Sequence, residues 1–237
     1  RQIKQLPCTL NELGIEVSTG RVVDFRAKEW LRLEPEPGTA PLIYPTHLDA
    51  GTITWPKGRT RKPCALAISD YINPQLVPNT NYVLVKRFST KEEAKRIVAT
   101  VYEASRIPGP RVGFENHLNY FHSRFGDLSL SLVKGLAAFL NSTIVDSYFR
   151  QFNGHTQVNA TDLRSLRYPT IQQLIDIGDK VSTRHSSQNE LDTLLQRELF
   201  LQSGKFEKVC SGSRKPPTRR SSSTPQSMSS PSFSWRL

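Results

Sequence analysis

The sequence lacks the glycine-rich turns and the short catalytic signatures that mark many enzymes. No two of its 13 glycines are separated by a single residue, so there is no Gly-x-Gly turn to hold a nucleotide cofactor. The chain also has no Walker loop, no Gly-x-Ser-x-Gly elbow and no His-Glu-x-x-His pair. These absences exclude the common nucleotide-binding, serine-hydrolase and zinc-protease motifs.

Cysteine and long apolar runs are also scarce. The three cysteines, Cys8, Cys64 and Cys210, are odd in number and far apart, which predicts reduced thiols and does not suggest a zinc site. No apolar run approaches the roughly 18 residues that span a bilayer, and no signal peptide opens the chain. We therefore expect a cytoplasmic protein without a membrane partner, and the start at Arg1 suggests a fragment or a processed product.

Positive charge is present but unevenly placed. The chain carries a net charge of +11. Residues 204–237 hold seven basic side chains and one acidic one, a net of +6, which leaves +5 for residues 1–203. Residues 211–237 contain ten serines and no apolar period. Residues 204–237 are therefore predicted to be a disordered tail, with a nonspecific DNA-binding arm as the alternative. The mildly basic remainder, residues 1–203, is predicted to be one domain compatible with phosphate contacts.

The order of apolar patterns predicts the α+β class. Residues from about 10 to 125 favour strands in a mixed or antiparallel sheet, and residues from about 126 to 203 favour helices. Residues 82–88 and 96–102 are rich in β-branched and aromatic side chains, which predicts a hairpin. The alternative is a helix that begins at a capping box from Thr90 to Glu93. Residues 112–121 are predicted to form one further strand.

The helical part shows apolar spacing and capping signals. Leu128, Leu132, Leu136 and Leu140 recur at helical spacing, and a second apolar helix is predicted from about Thr143 to Gly154. A short helix capped by Asn159 or Thr161 follows, and then two amphipathic helices at about 171–181 and 190–201. Ser187 and Glu190 form a capping box for the last of these.

Two enzyme-like patterns are weak. His117 and His122 are five residues apart, so they do not share a face of a helix or strand and are expected to be structural. Asp70 with Glu93-Ala94-Lys95 loosely matches the two carboxylates and lysine of a metal-dependent nuclease. Asp70 follows Ser69 rather than proline, and Glu93 falls in a predicted turn. Asn73-Pro74-Gln75-Leu76 is predicted to be an ordinary turn.

Four groups of segments resemble a known protein family in their order and spacing. They are residues 14–26; residues 41–48 with Trp55-Pro56 and Lys62-Pro63; residues 86–89 with 96–99; and residues 113–119, 135–142 and 152–164. Together, over about residues 10–170, they resemble the C-terminal target-recognition region of TaqI-like adenine-specific DNA methyltransferases of Type II restriction-modification systems. The resemblance implies a domain that reads base edges, beside a separate domain that binds S-adenosylmethionine and methylates adenine. This chain lacks the motifs of that second domain.

The resemblance and the side-chain chemistry together select candidate DNA contacts. Asn and Gln can pair with adenine in the major groove, and Arg can pair with guanine. The candidates are His155, Thr156, Gln157 and Asn159 in a polar loop, Arg164 and Arg167 on the next helix, Arg61 and Lys62 in a basic turn, Lys86 and Arg87 at a strand end, and Arg21. The alternatives are that the loop residues only cap the helix and that the basic turn is merely solvated.

The sequence therefore predicts a DNA target-recognition domain without a catalytic site or metal of its own. Its expected partners are double-stranded DNA and a methyltransferase catalytic domain, in cis or in trans, which would bind S-adenosylmethionine. One alternative is a specificity subunit of a multi-subunit restriction-modification complex. Another is a free-standing metal-dependent nuclease, for which replacing Asp70 by alanine would abolish cleavage. A third is a domain that only stabilises a partner protein.

Overall fold

Strands precede helices along the chain. The computed structural model describes residues 2–49, 51–58, 62–89, 92–152, 156–181 and 187–201. The strands are β1 (Ile15–Thr19), β2 (Leu31–Arg32), β3 (Thr39–Ile43), β4 (Leu48–Asp49), β5 (Thr52–Ile53), β6 (Ala65–Ala67), β7 (Val77–Pro78), β8 (Tyr82–Lys86), β9 (Ala99–Tyr102), β10 (Arg111–Phe114) and β11 (Leu118–Ser123). The α-helices are α1 (Leu130–Leu140), α2 (Thr143–Phe152), α3 (Ala160–Ser165), α4 (Ile171–Lys180) and α5 (Gln188–Gln196).

One sheet has four antiparallel strands in the order β1-β11-β8-β9. Val83 pairs with Val101 across β8 and β9, so the predicted hairpin is confirmed and the helix alternative is wrong. Both faces of the sheet are covered: Val83 and Val85 join the core made with the helices, whereas Leu84 joins a core shared with β10. Burial on both faces explains why β8 reads as a continuous apolar run rather than an alternating one.

The second sheet has five strands in the order β2-β6-β3-β10-β7. Strands β3 and β10 pair in parallel, and the other pairs are antiparallel. The short strands β4 and β5 form a separate antiparallel pair. Val22, Leu42 and Leu66 belong to a further buried cluster within this strand-rich part. A mixed sheet and an antiparallel sheet followed by helices confirm the α+β prediction.

The prediction of one strand over residues 112–121 is wrong, because two strands from different sheets occupy this stretch. Strand β10 pairs with β3 and β7 in the five-stranded sheet, and β11 pairs with β1 and β8 in the four-stranded sheet. The turn at residues 115–117 carries the chain from one sheet to the other. Apolar residues on both sides of the turn hide this break from a reading of periodicity.

The helices pack closely where two of them carry glycine. Gly135 of α1 and Gly178 of α4 both lie against the backbone of the opposite helix. A Cβ atom added at Gly178 would stand 1.8 Å from the carbonyl oxygen of Ser131. At the start of α5, Ser187 and Glu190 form the predicted capping box, in which the Glu190 carboxylate accepts a hydrogen bond of 2.8 Å from the Ser187 amide. The close approach of the backbones at Gly135 and Gly178 fixes α1 and α4 against each other.

The N-terminal segment is tied to the far end of the domain. Cys8 and Tyr168 exchange two backbone hydrogen bonds, of 3.1 and 2.8 Å. The Arg167 guanidinium donates to the carbonyl oxygens of Leu6 and Pro7. The strand-rich and helical parts are therefore joined through contacts that span most of the chain.

The cysteines differ in their state. The prediction of reduced thiols is confirmed for Cys64, which is free and buried, and is wrong for Cys8, which is disulfide-bonded. Among the described residues, no helix is long and apolar enough to cross a membrane. The predicted tail, residues 204–237, lies outside the described residues.

His47 makes stability depend on pH. Burial, aided by the nearby Lys57 charge, lowers the pKa of His47 to about 4, and its Nδ1 atom accepts a hydrogen bond from the Tyr44 amide. Since the unfolded ring titrates near 6.5, the unfolded chain binds the extra proton between these values. The neutral ring thus contributes stability fully above pH 6.5 that is lost as pH falls towards 4, on the order of 3 kcal/mol.

Replacing His47 by asparagine tests this contribution. Asparagine keeps a hydrogen-bond acceptor near Nδ1 but cannot take up a proton. We expect the free energy of unfolding in urea to fall more steeply from pH 7.5 to pH 4.5 for the parent chain than for His47→Asn. The remaining titratable groups change the free energy of unfolding of both proteins alike. Equal slopes would contradict a buried neutral imidazole.

Candidate nucleic-acid interface

The loop after α2 returns to the end of β8 and places three of the predicted contacts side by side. Phe88 and Gln157 form an isolated antiparallel bridge. The Ser89 amide donates to the Thr156 carbonyl oxygen at 3.1 Å, and the Val158 amide donates to the Arg87 carbonyl oxygen at 2.7 Å. Arg87, Thr156 and Gln157 therefore lie together, although about 70 residues separate them in sequence.

A buried asparagine supports this loop from below. Asn119 of β11 has no exposed surface, and its Nδ2 atom donates to the Val158 carbonyl oxygen at 2.7 Å. The Thr19 hydroxyl donates in turn to Asn119 Oδ1 at 3.0 Å. Both polar atoms of the Asn119 side-chain amide have a hydrogen-bond partner. Asn119 therefore holds the backbone of the loop against the sheet. The loop presents the exposed Thr156 and the half-buried Gln157 to solvent.

The turn between β10 and β11 lies next to the loop. The Arg87 amide donates to the His117 carbonyl oxygen at 2.8 Å, and the Arg87 guanidinium donates to the Asn116 carbonyl oxygen at 3.2 Å. The guanidinium also lies 5.7 Å from the centre of the Phe88 ring. These contacts hold Arg87 at the surface between the turn and the loop. Lys86, the last residue of β8, is half-buried and pairs with Leu118.

An acid–histidine pair occupies the same turn. Glu115 is 1% exposed, and its carboxylate accepts hydrogen bonds from the His117 ring Nδ1 at 2.5 Å and from the His117 amide at 3.0 Å. Burial raises the pKa of the Glu115 carboxyl, and the hydrogen bonds from His117 act in the opposite direction. His117 was predicted from the sequence to be an ordinary structural residue. A glutamate two residues before a histidine was the only signal that could have drawn attention to it.

Two further basic candidates, Arg21 and Lys62, are exposed, and Arg21 lies close to this turn. Val22 bridges to Glu115, which places the exposed Arg21 close to the turn, where its guanidinium donates to the Pro74 carbonyl oxygen at 3.3 Å. Lys62 is exposed and lies 3.9 Å from an Asp24 carboxylate oxygen. Both side chains remain predicted DNA contacts.

Three further candidates, in or next to α3, make contacts within the domain. Because α3 ends at Ser165, the prediction that Arg167 lies on this helix is wrong. Asn159 is the N-cap residue of α3, and its main-chain amide donates to the Asp162 carboxylate at 3.2 Å. Arg167 is half-buried and bonded to the N-terminal segment. Arg164 is exposed, although its guanidinium donates to the Val17 carbonyl oxygen at 2.7 Å. A DNA-facing role of these three residues stays a prediction, whereas His155 and Arg61 lie outside the described residues.

A cavity beside Arg164 is polar and open. It has a volume of about 380 Å³, and its lining includes Glu16, Ser18, Arg124 and Arg164. Arg124 is paired with Glu16 at 2.8 Å, and this pair is exposed. The cavity therefore offers a hydrogen-bonding surface whose positive charge is partly neutralised.

The nuclease-like pattern is divided between two parts of the fold. Asp70 follows β6 of the five-stranded sheet, whereas Lys95 lies in the β8–β9 hairpin of the other sheet. The Lys95 ammonium donates to the Asn141 carbonyl oxygen at 2.7 Å and to Gln188, so it links the hairpin to the helices, and burial lowers its pKa. Within the described residues, no three His, Cys, Asp or Glu side chains are grouped to hold a metal ion.

Comparison with known proteins gives two close relatives. The chain is 50% identical over 196 residues to the Type II methyltransferase M.PstI of Providencia stuartii, which covers 83% of the chain and 39% of that protein. It is 49% identical over 195 residues to the Type II methyltransferase M.BsuBI of Bacillus subtilis, covering 81% of the chain and 38% of that protein. No family model matches the chain. The chain is therefore a homologue of one part, about two fifths, of each of these two Type II methyltransferases.

Proposed function

We propose that the chain is the DNA sequence-recognition part of an adenine-specific Type II methyltransferase. The observation that carries the proposal is the extent of the match. Half of the residues are shared over more than four fifths of this chain, yet the match spans only about two fifths of each relative. A segment that forms its own two-sheet and helical cores, and that carries a basic, polar surface, suits the reading half of such an enzyme. Its resemblance to TaqI-like recognition regions belongs to the same proposal.

Methyl transfer is assigned to the part of the relatives that this chain does not span. S-adenosylmethionine is usually held by a glycine-rich turn between a strand and a helix, and the sequence has no Gly-x-Gly. The open polar cavity lined by Arg124 and Arg164 does not supply such a turn. We therefore place cofactor binding and base flipping in a catalytic domain that acts with this chain, in cis or in trans.

The surface around the loop at residues 156–158 has the composition that base reading requires. Thr156 and Gln157 can form hydrogen bonds with base edges, and Arg87 can contact a phosphate or a guanine. The main-chain hydrogen bonds to Arg87 and Ser89 fix the position of the loop before DNA binds. A pre-arranged loop loses little conformational entropy on binding, which favours specific recognition.

Selection from a random pool of DNA duplexes tests the proposed function. The full chain is incubated with the pool at two salt concentrations, since the basic tail adds a nonspecific attraction that weakens as salt rises. We expect one short motif to be enriched at the higher salt concentration. We also expect Gln157→Ala to bind that motif about 10- to 100-fold more weakly, in line with the roughly 1–3 kcal/mol of a good base contact.

Gln172→Ala is the matched control. Gln172 is an exposed glutamine of α4 whose side chain donates to Asp176 of the same helix at 2.8 Å. This variant is expected to bind the motif as the parent chain does. If no motif is enriched, the selection is repeated with the catalytic region of the Providencia relative added. A second failure would rule out the recognition role and favour a domain that only stabilises a partner.

A further inference from the structure

The turn that joins the two sheets holds the imidazole of His117, which is bonded through one of its two ring nitrogens. Glu115 accepts hydrogen bonds from both the ring Nδ1 and the amide of His117, so the ring is anchored twice to one buried carboxylate. The His117 side chain is nevertheless 50% exposed. Its Nε2 atom, on the opposite side of the ring, forms no hydrogen bond with any residue in the described part of the chain.

A neighbouring aromatic ring further limits the movement of this imidazole. Phe88 lies edge-on to His117, with 5.0 Å between the ring centres and an angle of 61° between the planes. Phe88 also forms the bridge to Gln157, so the imidazole and the predicted base-reading loop share one support. His117 therefore lies on the same surface as Arg87 and Gln157, with a preset orientation.

We infer that His117, oriented by Glu115, reads the edge of one base in the major groove of the target DNA through its Nε2 atom. The inference rests on the proposed function, because it names a further specificity-determining residue of the same surface. Glu115 is its positioning residue, since its carboxylate accepts hydrogen bonds from both the ring and the main-chain amide of His117.

Charge favours a base edge over a phosphate as the partner of His117. The adjoining carboxylate offsets the positive charge that the ring can carry, so the pair has little net attraction for an anion. A phosphate contact draws its strength from such net charge and from the release of counterions. A base contact depends instead on the direction of one hydrogen bond, and direction is what the two bonds to Glu115 supply.

The test repeats the DNA selection with the full chain and its His117→Ala variant. We expect the variant to enrich the parent motif with one position relaxed and to bind the parent site about 10- to 100-fold more weakly. The slope of log affinity against log salt is expected to stay unchanged, because no phosphate contact is lost. His122→Ala is the matched control, because His122 lies on β11 itself and contacts Ser18 at 3.0 Å.

Two more variants keep the test decisive if His117→Ala is unstable. His117→Gln retains a polar end group near the position of Nε2 and is expected to change the preferred base at the same position towards adenine. Glu115→Gln keeps an acceptor for Nδ1 but loses the acceptor for the His117 amide, and should weaken the preference at that position alone. Thermal unfolding of each variant separates these effects from loss of fold.

The outcomes distinguish this inference from the proposed function. If the parent chain enriches no motif, the proposed function fails and the inference fails with it. If the parent enriches a motif and His117→Ala enriches the same motif at full strength, only the inference fails. A uniform loss of affinity with a salt slope lower by about 1 would show a phosphate contact and would also overturn the base-reading role.

Discussion

Substituting alanine for Gly178 is expected to lower the melting temperature of the domain by roughly 6–12 °C. The new Cβ atom would stand 1.8 Å from the carbonyl oxygen of Ser131 and 2.8 Å from the amide nitrogen of Gly135, and both are backbone atoms of α1. Backbone cannot swing aside as a flexible side chain can, so α1 and α4 must separate. Overpacking of this kind costs about 3 kcal/mol, which corresponds to that change in melting temperature for a domain of this size.

Gly58→Ala is the matched control for this substitution. Among the residues that the structure describes, a Cβ atom at Gly58 meets no heavy atom within 4 Å, so the same added methyl group is expected to leave the melting temperature nearly unchanged. Differential scanning calorimetry of the three proteins makes the comparison. A Gly178→Ala variant that melts with the parent would mean that the helices do not approach as closely as the structure shows.

The Gly20→Ala variant is expected to lose about 3 kcal/mol of unfolding free energy and, with it, specific DNA binding. Gly20 lies where β1 leaves the four-stranded sheet. A Cβ atom there would stand 2.2 Å from the carbonyl oxygen of Glu115 and 2.6 Å from that of Phe114. Relief of this overlap requires movement of the turn that carries His117, so stability and base reading should fail together.

Urea unfolding and duplex binding, measured on the same Gly20→Ala preparation, check this coupling. Gly58→Ala again serves as the control for an added methyl group in open space. Loss of stability with full sequence preference at ordinary temperature would show that the turn keeps its position without Gly20. That result would detach the proposed reading surface from the junction of the two sheets.

Local patterns in the sequence were sufficient to predict several elements. The β-branched run of β8 and the capping box at Ser187 each depend on neighbours within a few residues, and both predictions are confirmed. The division of residues 112–121 into β10 and β11 depends instead on pairing with β3 and β1, which are distant in sequence. Single-sequence periodicity contains no information on such pairing, so the turn at Glu115 was missed.

The candidate site was predictable in its chemistry but not in its assembly. Gln157 and Arg87 were chosen separately, for side-chain type, and only the fold brings them together through the bridge at Phe88. Arg167 was chosen for its charge, yet its guanidinium is bonded to main-chain carbonyl oxygens of the N-terminal segment. Charge in a sequence does not reveal whether a guanidinium faces solvent or the backbone of a distant segment. His117 was not chosen as a candidate, because its orientation depends on the buried Glu115 carboxylate, whose burial the sequence does not reveal.

The ties between the N-terminal segment and the end of the domain have a consequence for the order of folding. Strand β1 pairs with β11 about a hundred residues later, and Cys8 pairs with Tyr168. Closing loops of this length costs entropy before any contact compensates for it, so these pairings form late and slow the folding reaction. During synthesis, β1 must wait until β11 has left the ribosome, whereas the local hairpin of β8 and β9 can form early. The N-terminal residues of this segment are thus among the last to find their partners.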